Sequence, residues 1–172
     1  GGFATSSTPP VLIGQIQVLD VPDMPAAHAA LLERKQEILD LANSLHPRMV
    51  ARGGGAVDME VRSYPLRSLP GEMLVVHLLV DTRDAMGANL VNGMCEGVAP
   101  LIEQITEGTV FLRILSNLAD RALARAEVVL PAAQLAGKGY AGERVRDGII
   151  IAADFAHADP YRAATHNKGI MN

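Results

Sequence analysis

An α+β fold is predicted by the order of the apolar segments in this 172-residue chain. Hydrophobic residues make up 49% of it and charged residues 20%, which is the composition of a globular protein with a buried core. Between residues 11 and 115, strand-like and helix-like segments follow one another in the order β-α-β-β-α-β. That order is typical of the ferredoxin-like fold, in which two helices cover one face of a mostly antiparallel sheet. Residues 116–172 carry mostly helical patterns.

The first strand and helix follow a segment without regular patterning. Residues 1–10 are rich in Ser, Thr and Pro, and we expect a linker at the edge of a larger domain. Residues 11–19 have apolar side chains spaced as in a strand. A helical pattern then reaches about Leu45, where the His46-Pro47 pair ends it, because the residue before a proline is disfavoured in the helical region.

The second half of the pattern contains two adjacent strands, a helix and a last strand. Residues 57–64 alternate in polarity, and the side chains expected to face the core are Val57, Met59 and Val61. Residues 73–80 are continuously apolar, as in a central strand. Asp84 is expected to cap the second helix, which ends at Gly108. Residues 109–115 form the last strand.

The C-terminal segment is too small for an independent core, so residues 116–172 are interpreted as part of a second, larger domain. We expect a short helix over 120–126 and a strand and turn over 128–135. A long helical pattern begins near Gly142, and Pro160 must bend or break it.

Composition excludes several classes of function. The net charge is −4, and three Phe, three Tyr and no Trp leave few rings for stacking bases, so no nucleic-acid partner is expected. One cysteine, Cys95, and histidines without ligand spacing predict no metal site. His77 lies inside an apolar strand and is interpreted as a hydrogen-bonded core residue. No segment is typical of a membrane span or signal peptide, which predicts a cytoplasmic protein without a membrane partner.

Two glycine-containing segments could bind an anion. Residues 82–92 place Asp84, Gly87 and Asn89 around a helix start, where backbone N–H groups attract negative charge. A capped helix start packed through a small residue explains the same pattern and is favoured on physical grounds alone. The run of glycines at 53–55 could cradle a phosphate, although a connecting loop is the commoner meaning of such a run.

A second group of polar residues lies near the C-terminus. Arg162 and His166 are four residues apart and can share a helical face. Lys168 follows, and a desolvated ammonium there could polarise a carbonyl oxygen. An exposed polar helix end explains these residues equally well.

Taken together, RDAMGAN (83–89) and RAATHNKG (162–169) resemble class II 3-hydroxy-3-methylglutaryl-coenzyme A (HMG-CoA) reductases. The opening GGFATSS, the glycine run and LRILSNLADRALARAEV (112–128) are also similar to that family. The resemblance implies an oxidoreductase of two domains that interconverts HMG-CoA and mevalonate plus coenzyme A by two hydride transfers. Its metabolic setting would be isoprenoid synthesis or mevalonate degradation.

The resemblance also implies where the ligands bind. The small domain, residues 11–115, would bind the nicotinamide cofactor, and the partial large domain, residues 116–172, would bind HMG-CoA, of which coenzyme A is a part. Lys168 matches the catalytic lysine. The residues matching the substrate site are Arg162, Asn117, Asn172 and His166. The residues matching the cofactor site are Asp84, Ala85, Met86, Gly87, Asn89 and His46.

Three further expectations come from the resemblance. NAD is the expected cofactor, but NAD-using relatives can carry an acidic residue where this chain has His46, so NADP stays an alternative. The family's catalytic glutamate, aspartate and histidine match no position within residues 1–172, so the chain is interpreted as a central fragment that is inactive alone. A dimer-based homo-oligomer is expected. The competing hypothesis is a non-catalytic ferredoxin-like domain that binds a small ligand or has a regulatory role.

Overall fold

The computed structural model describes residues 2–171 and divides them into two compact units. One unit comprises residues 6–125, and the other comprises residues 2–5 with 126–171. Six strands are present among the described residues, and their bounds are β1 Ala4–Ser7, β2 Val11–Leu19, β3 Gly55–Pro65, β4 Glu72–Asp81, β5 Thr109–Leu115 and β6 Ala124–Glu127. The helices are α1 Met24–Glu33, α2 Lys35–Ser44, α3 Pro47–Val50, α4 Ala88–Thr106, α5 Gly142–Ala158, α6 Pro160–Met171 and a 3₁₀ helix over Ala132–Leu135.

Four strands of the 6–125 unit form one sheet in the order β3-β4-β2-β5. Every neighbouring pair is antiparallel, and β2 and β4 are the central strands. This is the strand order of the ferredoxin-like fold, so the predicted α+β class is confirmed. A separate two-stranded sheet pairs β1 with β6, and β1 lies within the segment that was expected to be a linker.

The core lies between the sheet and the helices α1, α2 and α4. Alternate residues of the central strands face it, because side chains of a strand point to opposite faces in turn. The largest fully buried side chains include Ile16, Leu31, Ile38, Leu74, Leu78, Met94 and Ile102. None of them is aromatic, as the scarcity of aromatic residues predicts.

The single helix expected up to Leu45 is divided in two. Arg34 separates α1 from α2 with a φ of −93° and a ψ of 16°, and its guanidinium pairs with Glu37 at 2.7 Å. Asn43 fastens the end of α2 to β3, because its amide nitrogen donates to the Ala56 carbonyl at 3.0 Å and its amide oxygen accepts the Ala56 N–H at 2.8 Å.

The expected burial of Val57 is wrong. The pairing of β3 with β4 shifts register between Ala56 and Asp58, which is a β-bulge with one extra residue. The bulge leaves Val57 52% exposed and turns Ala56 to the core, while Met59 stays buried as predicted. Alternation in polarity could not locate this irregularity.

The expected cap of the second helix is also wrong. Asp84 lies in the loop before α4, and the residue at the cap position is Gly87, with a φ of 87°. That left-handed conformation favours glycine, which has no Cβ to collide with its own backbone.

Residues 116–171 differ from expectation in their first half. Residues 120–126 contain turns and the start of β6 instead of a helix, and 128–130 are not a strand. As Pro160 predicts, α5 ends at Ala158 and α6 starts at the proline. Asp159 caps α6, since its carboxylate accepts the Tyr161 N–H at 2.8 Å. Within residues 2–171, no helix is long and apolar enough to cross a membrane.

Candidate functional site

The loop between β4 and α4, residues 82–87, is held to the sheet mainly through backbone atoms. Thr82 is buried, and both its N–H and its hydroxyl donate to the Pro10 carbonyl, at 3.0 and 3.2 Å. The Ala85 N–H donates back to the Thr82 carbonyl at 3.0 Å. A Cβ added to Gly87 would lie 2.6 Å from Cγ2 of Thr82, so only glycine fits at the base of this loop.

Arg83 ties this loop to the glycine run after α3. Its Nε donates to the Gly53 carbonyl at 2.8 Å, and a second guanidinium nitrogen donates to the same oxygen. The carboxylate of Asp81, which is 7% exposed, accepts the Arg83 N–H at 2.9 Å and lies 3.6 Å from Nε. The structure therefore brings together the two glycine-containing segments that the sequence singled out separately.

The glycine run does not form a phosphate cradle. The N–H of Gly53 donates to the Val50 carbonyl at 2.9 Å, and the N–H of Gly54 donates to the Met49 carbonyl at 3.1 Å. Because both amides are used internally, the run is a connecting turn, as was favoured. Its role at this site is to offer the Gly53 carbonyl to Arg83.

The outer residues of the 82–89 segment are available to a ligand. Asp84, Ala85, Met86 and Asn89 are exposed, and Met86 is 82% exposed. The side chains of Asp84 and Asn89 make no hydrogen bond with any residue from 2 to 171. The segment thus presents a carboxylate, a thioether and an amide at the surface, on a backbone that is fixed by the hydrogen bonds of Thr82 and Arg83.

His46 lies beside this segment, at the end of α2. The N–H of Met49 donates to the His46 carbonyl at 2.9 Å, which starts the short helix α3. Gly93 in α4 lets the imidazole approach, because a Cβ there would lie 3.1 Å from Nε2. Gly97, one turn further along α4, similarly accommodates Leu45. Two glycines on one helical face therefore seat the end of α2 against α4.

A cavity of about 450 Å³ opens at this junction. The residues that line it are Leu45, His46, Pro47, Arg48, Met49, Arg52 and Leu90. Leu90 directly follows Asn89, so the cavity adjoins the exposed segment. Neither Arg48 nor Arg52 forms an ion pair with the described part of the chain, and no carboxylate lines the cavity. Its chemistry suits an anionic ligand with an apolar portion.

Sequence reasoning missed Asp81, Arg48 and Arg52. A signal for the two arginines was present, since they lie between the His46-Pro47 helix stop and the glycine run. Their proximity to α4 depends on how α2 packs, and no local pattern encodes that packing.

In the other unit, α6 carries the second group of predicted residues. Arg162 is half-buried and His166 is exposed, and at about 100° per residue they lie about 40° apart around the helix. Lys168 lies within the same helix, so it projects about 200° from His166. The helix therefore brings Arg162 and His166 together and directs Lys168 to another side.

The remaining predicted substrate residues lie outside α6. Asn117 is exposed in the segment that follows β5. Asn172 lies outside the described residues, so its prediction has no structural counterpart.

Two further titratable groups, His77 and Cys95, are buried in the 6–125 unit and have a structural role. His77 is buried and hydrogen-bonded as predicted, because it is 7% exposed and its Nε2 lies 3.0 Å from Nε2 of Gln15, but it lies on the sheet face away from the hydrophobic core. Burial, with Arg62 nearby, lowers the pKa of His77. Burial raises the pKa of the Cys95 thiol to about 12, so it remains protonated and unreactive. Residues 2–171 contain no cluster of His, Cys, Asp or Glu suited to a metal ion.

The fold and the loop define the class first: a ferredoxin-like α+β domain whose β4–α4 loop adjoins a cationic cavity. The sequence model of hydroxymethylglutaryl-coenzyme A reductase matches residues 1–172. The chain is 51% identical over 172 residues to the 3-hydroxy-3-methylglutaryl-coenzyme A reductase of Archaeoglobus fulgidus, and 34% identical over 124 residues to a probable one of Borreliella burgdorferi. The chain belongs to the hydroxymethylglutaryl-coenzyme A reductase family.

Solved structures of Streptococcus pneumoniae 3-hydroxy-3-methylglutaryl-coenzyme A reductase are similar over 99% of the chain. One matches with a TM-score of 0.90 at 40% identity. Another, a class II enzyme bound to NADPH in open conformations, matches with a TM-score of 0.89 at 39% identity. The chain spans less than half of its relatives: 38% of the Archaeoglobus protein, 28% of the Borreliella protein and 45% of the first Streptococcus chain.

Proposed function

We propose that this chain supplies the cofactor-binding domain and part of the substrate-binding domain of an HMG-CoA reductase. The full protein would convert HMG-CoA, two reduced nicotinamide dinucleotides and two protons into mevalonate, coenzyme A and two oxidised dinucleotides, through an aldehyde stage. The observation that carries the proposal is the exposed 82–89 segment beside the cationic cavity, in a chain that matches the family along its whole length. A non-catalytic binding domain is not favoured by these similarities.

The cofactor would bind along the 82–89 segment and into the cavity beside His46. When bound, it would supply the hydride. The guanidinium groups of Arg48 and Arg52 would pair with the oxygens of a 2′-phosphate, for which the planar fork is well suited. Because no carboxylate lines the cavity to repel a 2′-phosphate, its charge favours NADP. NADPH in a Streptococcus relative supports this choice, and NAD stays the alternative that the resemblance alone predicts.

The residues of α6 would carry out the chemistry on the acyl group. Each hydride transfer develops negative charge on a carbonyl oxygen, and Lys168 would stabilise it, with an effect of about 3–4 kcal/mol for one well-placed donor. Arg162 would bind the terminal carboxylate of the HMG group, with His166 on the same side of the helix. Asn117 and Asn172 would donate amide hydrogen bonds to the substrate.

We further propose that these 172 residues do not turn over HMG-CoA alone. The family resemblance implies three more catalytic groups, a glutamate, an aspartate and a histidine, that match no position in this chain. A dimer-based assembly in the cytoplasm is part of the same proposal.

The decisive experiment replaces Lys168 in the full-length protein that contains this chain. We expect K168M to lower kcat by about 10²–10³-fold with little change in the affinity for reduced cofactor, because the lysine acts on the developing charge. The matched control is K138M, since Lys138 is exposed in a turn of the same unit. Retention of full activity by K168M would contradict the proposal.

The cofactor choice has its own test. We expect the double replacement R48A/R52A to raise KM for NADPH about tenfold or more and to leave KM for NADH within about twofold, because only NADPH carries the 2′-phosphate. R67A, in the exposed turn after β3, is the matched control. An equal rise in both KM values would contradict the preference for NADP.

A further inference from the structure

The sheet of the 6–125 unit has a second face, on the side away from the core. A row of polar side chains crosses this face in register: Glu60 of β3 pairs with His77 of β4, which pairs with Gln15 of β2. The helices do not cover this row, yet His77 is only 7% exposed. Something else in the same unit therefore shields it.

The shield comes from residues 116–123, which follow β5. Nη2 of Arg121 donates to Oε1 of Glu60 at 2.6 Å. β5 and β3 are the opposite edges of the sheet. The chain that leaves β5, together with the side chain of Arg121, must therefore pass over β2 and β4 to reach Glu60, a distance of about three strand spacings, or about 14 Å. The segment must lie over the polar row, and that explains the burial of His77.

The other anchors of the segment are at its two ends. The Ser116 N–H donates to the Ile13 carbonyl at 2.7 Å at the start. Thr8 fixes the end, because its hydroxyl donates to the Arg121 carbonyl at 3.0 Å and accepts the Leu123 N–H at 2.8 Å. Within residues 2–171, Arg121 provides the one ion pair between this segment and the sheet.

We infer that Glu60 is a positioning residue for the substrate: by holding Arg121 it fixes the 116–123 segment, and thereby the exposed amide of Asn117. The inference rests on the proposed function, since that function gives Asn117 its contact with the acyl substrate. Glu60 touches neither ligand in this scheme. Loss of Glu60 should therefore affect the binding of HMG-CoA and not that of the cofactor, because the 82–87 loop has separate anchors at Pro10 and Gly53.

Electrostatics around Glu60 support a persistent anchor. Arg62 also donates to its carboxylate, at 2.9 Å, so two guanidinium groups share one acceptor. Hydrogen bonds from Arg121 first, and then from Arg62, lower the pKa of Glu60. Of the other titratable groups near it, His77 is its cross-strand partner, and burial, with Arg62 nearby, lowers the pKa of that imidazole. The carboxylate therefore stays ionised at neutral pH.

The kinetic test uses the full-length protein with E60Q and R121M. We expect either change to raise KM for HMG-CoA about tenfold while KM for NADPH stays within about twofold. R121K, which keeps the charge, should recover most of the loss. The matched control is E96Q, which breaks the 3.0 Å pair of Glu96 with Arg113 between α4 and the sheet and should change neither KM. Equal rises in both KM values, or no rise, would overturn the inference.

Amide hydrogen exchange provides a readout that does not need turnover. We expect E60Q to speed exchange at residues 118–123 about tenfold, and E96Q to leave those amides unchanged. If the unaltered protein shows no NADPH-dependent reduction of HMG-CoA, the proposed function fails, and the anchoring role is judged by exchange alone. Unchanged exchange in a folded E60Q protein would overturn that role, whatever the activity.

Discussion

Two loops of the 6–125 unit, which the proposed function assigns to the two ligands, are fixed by different physical means. The 82–87 loop depends on backbone geometry: Thr82 bonds to Pro10, and Gly87 adopts a conformation that suits glycine. The 116–123 segment is hydrogen-bonded at its ends to Ile13 and Thr8, but its link to the far edge of the sheet depends on charge, through the ion pair of Arg121 with Glu60. Backbone anchors are short-ranged and insensitive to salt, whereas an ion pair responds to pH and ionic strength. The two loops should therefore fail under different perturbations.

The largest effect is expected from G87A, which disrupts the backbone conformation of the 82–87 loop. A left-handed conformation costs about 1–2 kcal/mol for a residue with a Cβ, and the collision with Thr82 at 2.6 Å adds about 1–3 kcal/mol of overpacking. We expect a fall in thermal stability and a KM for NADPH at least tenfold higher, measured by thermal unfolding and steady-state kinetics.

The matched control for G87A is G148A. Gly148 is an exposed residue inside α5, and an added Cβ would meet nothing within 4 Å. Alanine there should leave both KM values unchanged and stabilise the protein by about 0.5–1 kcal/mol, because glycine is unfavourable within a helix. If G87A behaved like G148A, the geometric description of the 82–87 loop would be wrong.

A smaller effect is expected from R83M, which removes the side-chain link of the same loop. Arg83 gives Gly53 two hydrogen bonds, but its side chain is 45% exposed, so their net contribution is about 1 kcal/mol. We expect KM for NADPH to rise about three- to fivefold and KM for HMG-CoA to stay constant. A rise confined to HMG-CoA would show that Arg83 serves the other loop.

Lowering the pH should loosen the 116–123 segment in the range in which Glu60 becomes protonated. The folded pKa of Glu60 is lowered, so its contribution to stability is complete above its ordinary value of about 4.5 and is lost as the pH falls through the lower folded value. His77 also has a lowered pKa, so protonating it opposes folding progressively as the pH falls below its ordinary value of 6.5.

Hydrogen exchange measured against pH distinguishes the two groups. We expect residues 118–123 to lose protection in two stages, one below about pH 6.5 and one below about pH 4.5, after correction for intrinsic exchange rates. H77Q should remove the first stage, and E60Q the second. A single stage in the unaltered protein that neither variant changed would contradict this assignment.

The parts of the molecule that sequence could predict are those governed by local pattern. Apolar periodicity located the four strands of the main sheet, and the polar position of His77 within an apolar strand indicated a buried, hydrogen-bonded residue. The Val57 prediction failed because a bulge interrupts alternation, and the Asp84 prediction failed because a left-handed glycine starts α4. At both points the local sequence is compatible with either of two conformations: a regular or a bulged strand near Val57, and a helix start at Asp84 or at Gly87.

For the candidate sites, too, the sequence predicts local features and not the contacts between distant segments. The 82–89 segment could be singled out from its own residues, and the structure shows that the side chains of Asp84 and Asn89 are exposed. The link from Arg83 to Gly53 and the ion pair from Arg121 to Glu60 join residues 30 and 61 positions apart. Such contacts depend on strand order and helix packing, which no single segment encodes.

The most direct test measures KM for HMG-CoA and for NADPH in the unaltered full-length protein, G87A and E60Q under one set of conditions. If the two loops serve two ligands and are held independently, G87A raises KM for NADPH alone and E60Q raises KM for HMG-CoA alone. If both variants raise the same KM, or each raises both equally, the separate assignment of the loops is contradicted.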